Sequence, residues 1–201
     1  MPLAIPARAR LAMLLAPAVM ALGIGRARAA EVKEHVLGDP AAPVTIIEYA
    51  SLTCPHCAHF HREELPAIKA KYIDTGKAKL VFRDFPLDQL ALQAAVLAHC
   101  AGDDRYFKFL DAMFASQMTW ARAADPVAAL KQLAKLGGLS EAEADACLAD
   151  RAMQDGVLQA RLDGEQKFDV SSTPTLIIDG KTYKGGRDID EISKAIDPLI
   201  N

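Results

Sequence analysis

The chain reads as one α/β sheet interrupted by a block of helices, and three observations carry that reading. β-Branched, apolar runs occur early, at 44–50 and 79–85, and again late, at 175–178. From about 88 to 169 the apolar period is helical throughout. Neither end has enough strands to bury a sheet alone, so the two ends share one, with the helices inserted between.

Residues 1–29 come first. Arg8 and Arg10 precede an apolar run from Leu11 to Ile24, and Ala27-Arg28-Ala29 has the small-x-small form of a cleavage site. That run is about 14 residues, short of the ~20 a spanning helix needs, and Pro17 interrupts it. A secretory signal peptide over 1–29 is therefore predicted. Arg26 and Arg28 are unusual so near a cleavage point, which keeps an uncleaved anchor as the alternative. Arg8 and Arg10 are not adjacent and give little support to a twin-arginine route. Removal after Ala29 leaves 172 of 201 residues, enough for one domain with a sizeable core. It also removes four arginines and no acid, taking the formal charge from −3 to −7. A mildly acidic protein argues against nucleic acid or an anionic membrane as partner. Lys69, Lys71, Lys77 and Lys79 are the densest basic group and read as a solvated face. No second membrane-length segment, internal repeat or low-complexity tract is evident.

The elements follow in order. Residues 30–43 form an extended lead-in with a turn at Gly38-Asp39-Pro40. Residues 44–50, bounded by Pro43, form a buried strand. Pro55 suits the first helical position after a Cys54 cap, and Gly76 suits the stop. His61, Leu65, Ile68 and Tyr72 make one inward stripe, and Pro66 is expected to kink the helix. A second strand over 79–85 ends at Pro86. Five helices are expected at 88–101, 103–116, 126–136, 141–149 and 151–168. Asp125-Pro126 is a cap followed by proline, Gly137-Gly138 a stop, and Ser140 with Glu143 a capping box. Trp120, Phe107, Phe109, Phe114 and Met113 are core of this block. A hairpin of 175–178 and 181–184, turning at Asp179-Gly180, precedes a last helix at 189–196.

Cys54-Pro55-His56-Cys57 lies at the first strand-to-helix junction. There the leading sulfur meets unpaired N–H groups and the positive end of the helix dipole, which stabilise a thiolate. The pattern reads as a redox-active dithiol. A structural disulfide and half of a zinc site compete, but zinc asks for four ligands and no second pair follows at matching spacing. Glu48 lies six residues before Cys54 inside the apolar strand. Burial makes a carboxyl hold its proton more tightly, and one so placed could carry the proton of Cys57; a satisfied core carboxylate is the alternative. His59 reads as solvated. His61 shares the helical face of Cys57 and reads as packing rather than ligation. His35 and His99 belong to no evident constellation.

On the run Glu48-Tyr49-Ala50-Ser51-Leu52-Thr53-Cys54-Pro55-His56-Cys57, the helical block and Ser172-Thr173-Pro174-Thr175, the chain resembles the DsbA family of periplasmic thiol:disulfide oxidoreductases. The resemblance implies an α/β, thioredoxin-like fold with an inserted all-helical domain: 30–87 and 170–201 as the thioredoxin-like part, 88–169 as the insertion. It implies Cys54 as the attacking thiol, Cys57 as the resolving thiol, and Thr173-Pro174 as a cis-proline loop beside them. A hydrophobic peptide groove near Cys54 is also implied, but no pattern locates it. In an exported protein Cys100 and Cys147 are expected to pair, and some branches of the family carry such a bridge; two separate buried thiols are the alternative.

The implied function is a periplasmic, monomeric thiol oxidase that donates its Cys54–Cys57 disulfide to exported proteins with free cysteines. It is recharged by a quinone-linked membrane partner of the DsbB type and needs no cofactor or metal. The residues agree: helix N–H groups and His56 favour the Cys54 thiolate, which stabilises the reduced form and makes the disulfide a ready donor. A disulfide isomerase or reductase of the same fold is the first alternative, although such isomerases generally add an N-terminal oligomerisation segment and only 30–43 precede the first strand. A periplasmic protein binding a soft ion such as Cu(I) through Cys54, Cys57, His56 and His61 is the second.

Overall fold

In the computed structural model, which describes Met1 and residues 32–200, a five-stranded sheet runs in the order β1-β3-β2-β4-β5. The signal peptide expected over 1–29 lies outside the described residues, save Met1. Strand β2 (Val44–Ala50) pairs in parallel with β3 (Ala78–Asp84), and a single helix, α1, makes the crossover. The other neighbours are antiparallel: β1 (His35–Leu37) on β3, and β4 (Thr175–Ile178) on β2, followed by β5 (Lys181–Thr182). β1 lies in the segment expected to be a plain lead-in. Three residues are too few to show an alternating pattern, and only pairing with β3 makes them a strand.

Helix α1 comprises four consecutive stretches, Pro55–His59, Phe60–Glu64, Leu65–Ile68 and Lys69–Ile73, of which the second and fourth are π-helical. Pro66 has no N–H, and its ring crowds the carbonyl four residues back. The wider turn just before it absorbs this, with the Leu65 N–H donating to the Phe60 carbonyl, and the helix continues. His61, Leu65, Ile68 and Tyr72 are all buried beneath it. Gly76, at φ +70°, ends the crossover in a conformation that glycine adopts without strain.

Six helices separate β3 from β4: α2 (Gln89–Cys100), α3 (Tyr106–Ala115), α4 (Gln117–Trp120), α5 (Pro126–Leu136), α6 (Glu141–Ala149) and α7 (Arg151–Phe168). The carboxylates of Asp88, Asp125 and Asp150 accept the N–H three residues on at the starts of α2, α5 and α7. Ser140 and Glu143 form the capping box of α6. The short α4 was not legible, because a four-residue helix has too little length for a period. The last helix, α8 (Ile189–Ile196), packs with α1 on one face of the sheet. On the other face α7 approaches β2 so closely that a Cβ at Gly164 would stand 2.5 Å from the Tyr49 ring.

The insertion is packed onto the dithiol. Cys54, Cys57, Leu52 and Phe82 share one apolar cluster with Leu97, Leu110, Phe114 and Trp120. Among the described residues no helix is long and apolar enough to cross a membrane.

Candidate active site

β2 runs out at Ala50, and the chain turns through Ser51, Leu52 and Thr53. The Cys54 N–H donates to the Ser51 carbonyl at 3.1 Å, and Cys54 caps α1 in extended geometry. Pro55 fills the first helical position, where its missing N–H costs nothing. The N–H groups of His56 and Cys57 are left to face the Cys54 sulfur and favour its thiolate. Cys54 is only 5% exposed and Cys57 is fully buried; both are free thiols.

The two sulfurs are electrostatically opposite. The hydrogen bond from Cys57 is the largest influence on Cys54; burial opposes it, and Thr173 with the two backbone N–H groups adds to it, so that the Cys54 pKa falls to about 5. Burial, then the bond to Cys54, then the charge of Glu48 push the Cys57 thiol far up. Cys54 is thus the thiolate at neutral pH and Cys57 the thiol. The His56 imidazole, expected to stabilise the thiolate, is exposed, and its residue reaches Cys54 through the backbone.

The loop before β4 closes the site. The Thr173–Pro174 bond is cis, Pro174 is buried, and its carbonyl accepts from Arg187 at 2.7 Å. The Cys54 sulfur lies 3.5 Å from the Thr173 carbonyl, to which it donates only when protonated. The Thr173 hydroxyl is buried with no partner among the described residues besides the sulfur it faces.

Beneath the dithiol, Glu48 is fully buried, and its Oε2 lies 3.0 Å from Nε2 of His61. Burial alone would lower the His61 pKa, but Glu48 and Asp111 outweigh it and raise it to about 9. Glu48 and His61 were singled out separately; thirteen residues of sequence separate two groups that the fold makes an ion pair. His59 is exposed beside Glu64.

Two further groups were not legible. Gln117, 2% exposed, donates its amide to the carbonyls of Leu52 and Cys54. His99 pairs with Asp84 at 2.8 Å and meets His35 at 3.3 Å, while His35 stacks on Tyr106 with ring centres 3.6 Å apart. Burial and then His99 push the His35 pKa down to about 4, against Asp103 and Asp84. A cleft of about 530 Å³ near this cluster, lined by Arg83, His99 and Lys167 among others, shares no lining residue with the dithiol. Cys100 and Cys147 are joined as a disulfide, tying the end of α2 to α6 across a Cα separation of 6.4 Å. Among the described residues no group of three or more His, Cys, Asp or Glu side chains is placed to hold a metal ion.

The sequence matches the thioredoxin family over residues 30–198. A Rickettsia typhi protein named as a protein-disulfide oxidoreductase is 35% identical over 170 residues, 83% of this chain, and the chain spans 62% of that relative's length. The crystal structure of alpha-DsbA1 from Wolbachia pipientis superposes with a TM-score of 0.74 at 38% identity, covering 83% of this chain and 90% of that one. BdbD from Bacillus subtilis, in its oxidised form, gives a TM-score of 0.75 at 26% identity over 83% and 92%. With Cys54 capping α1, a cis-proline loop against it and a helical insertion packed onto the dithiol, the chain belongs to the thioredoxin family and, within it, to the DsbA family.

Proposed function

We propose that this protein is a thiol:disulfide oxidoreductase that donates the Cys54–Cys57 disulfide to exported proteins carrying free cysteines. One observation carries the reading: Cys54 caps α1 with its sulfur among helix N–H groups and beside Thr173, while Cys57 is sealed beneath it. A client thiolate attacks Cys54, a mixed disulfide forms, and a second client thiol releases it. Because the site stabilises the Cys54 thiolate, it stabilises the reduced protein, and the disulfide is correspondingly oxidising.

In this reading Cys54 attacks and is attacked, Cys57 resolves, and Pro55 and His56 shape the helix start. Thr173 and Pro174 form the platform on which an extended client segment lies, strand fashion. Glu48 exchanges the proton of Cys57. The Cys100–Cys147 bridge is structural. The chain divides into a thioredoxin-like part, 30–87 with 170–201, and a helical insertion, 88–169. It works as a monomer in the periplasm after cleavage of the 1–29 segment, and a quinone-linked membrane protein of the DsbB type recharges it. The Bacillus relatives named BdbD and disulfide bond formation protein D support a role in disulfide formation. Soft-metal binding through Cys54, Cys57, His56 and His61 is disfavoured, since His61 is committed to Glu48.

The test is the equilibrium of the protein with glutathione, read together with two variants. An oxidising potential, loss of thiol oxidation in Cys54→Ser and accumulation of client mixed disulfides in Cys57→Ser are expected. A strongly reducing potential would move the assignment to an isomerase or reductase, and full activity in Cys54→Ser would end it.

A further inference from the structure

Cys57 and His61 are one turn apart on α1, and Glu48 lies under both from β2. Glu48 gives one oxygen, Oε2, to His61; the other, Oε1, is buried with no hydrogen-bond partner among the described residues, and the carboxylate's charge is felt by Cys57. The imidazole stacks on Phe114 at 4.1 Å between centroids, with Phe60 and Phe82 edge-on at 6.0 and 5.8 Å, so its plane is fixed. Its far nitrogen, Nδ1, is buried without a hydrogen-bond partner among the described residues, and Oδ1 of Asp111 on α3, a side chain 69% exposed, stands 3.9 Å away, within ion-pair but not hydrogen-bond reach. The charged or titratable groups facing the ring are therefore Glu48 from β2 and Asp111 from α3, with Cys57 on its own helix.

We propose that His61, with the Asp111 carboxylate beside it, is the positioning residue that sets when Glu48 gives a proton to Cys57 and takes it back, the line Cys57, Glu48, His61, Asp111 leading from the buried thiol to the surface. The inference rests on the reading of Glu48 as the proton partner of Cys57. When a client thiolate attacks Cys54, a new S–S bond forms, the Cys54–Cys57 bond breaks, and Cys57 leaves with the electron pair as a thiolate buried beside a carboxylate. Two negative charges in so apolar a place are costly, and a proton must reach the sulfur. The His61 imidazolium supplies it through Glu48. In the reverse direction Cys57 gives its proton to Glu48 as its sulfur attacks the Cys54 mixed disulfide, and the partner's thiolate departs. His61 thus offsets the charge of Glu48 while Glu48 is ionised and releases a proton when it is needed.

The experiment follows one turnover of the full chain by stopped flow: reduced protein is mixed with oxidised glutathione, and resolution of the Cys54–glutathione disulfide by Cys57 is measured across pH. His61→Gln is expected to slow resolution by at least about tenfold near neutral pH and to displace the midpoint of its pH profile. Asp111→Asn, at an exposed position, shifts the profile the same way by a smaller amount. Glu48→Gln separates the two levels. If Glu48→Gln leaves rate and profile unchanged, the underlying reading of Glu48 fails. If Glu48→Gln moves the profile while His61→Gln does not, the role of His61 alone is overturned. Should His61→Gln not fold, Asp111→Asn decides, and an unmoved profile there overturns the proposal.

Discussion

The side-chain amide of Gln117 donates to the carbonyl of Cys54 at 3.0 Å and, with its other hydrogen, to that of Leu52 at 2.8 Å. One residue of the inserted helices thereby holds both ends of the turn that presents the reactive sulfur. The Cys54 carbonyl has a second donor, the Ala58 N–H at 3.2 Å, whereas Leu52 depends on Gln117. In Gln117→Leu the Leu52 carbonyl is buried unsatisfied, at a cost of about 1–3 kcal/mol. A lower denaturant midpoint and slower thiol exchange are expected together. Gln117→Glu sets a carboxylate against two carbonyls and should do worse at neutral pH than at acid pH. An unchanged midpoint in Gln117→Leu would show that the contact holds nothing.

Much of the molecule was legible because its cues are local. Asp125 and Ser140 mark helix starts through bonds that span three residues, Pro126 marks one by its place at the first helical position, and the dithiol is four residues long. Gln117, β1 and the His35–His99–Asp84 cluster depend on partners distant in sequence. His35 reaches His99 across 64 positions, and Gln117 reaches Cys54 across 63. A glutamine in a polar, helical stretch reads as solvated, and no periodicity distinguishes it from one that clamps a loop. His61 and Glu48 were each noticed for burial. Their pairing required knowing that α1 lies across β2 in the register that sets one over the other.

The Cys54 thiol should titrate with a midpoint near 5, followed by its ultraviolet thiolate absorbance in the reduced protein. Thr173→Val removes a hydroxyl that faces the sulfur and should raise that midpoint, making the disulfide less oxidising. His56→Ala keeps its backbone N–H, so its shift should be smaller than that of Thr173→Val. The reverse ranking would place the control of Cys54 in the imidazole rather than in the backbone and Thr173.

The Cys100–Cys147 bridge closes a loop of 47 residues between α2 and α6. Constraint of the unfolded chain by a loop of that length contributes about 4 kcal/mol in the chain-entropy account. Replacing both cysteines by alanine should lower the unfolding free energy by up to that amount. The rate at which Cys54 attacks a model disulfide should change little, since the bridge touches neither active-site sulfur. A large loss of exchange without loss of stability would reverse that assignment.

The oxidised protein, in which Cys54 and Cys57 do not titrate, offers a clean test of the buried histidines. His35 is held well below its ordinary 6.5, at about 4. The fold therefore disfavours its protonated form, and its contribution is complete above pH 6.5 and lost as pH falls from 6.5 towards 4. His61 is held above 6.5, at about 9, so its contribution is complete below 6.5 and lost as pH rises towards 9. Each pKa unit is worth about 1.4 kcal/mol, so either limb is limited to about 3–4 kcal/mol. The two effects oppose one another on the pH axis and place a stability maximum near 6.5. Denaturant unfolding across pH should show it. His35→Asn should flatten the acid limb and leave the alkaline one, and His61→Gln should do the opposite. If both variants keep both limbs, the pH dependence belongs to surface carboxylates and lysines, and neither buried imidazole carries it.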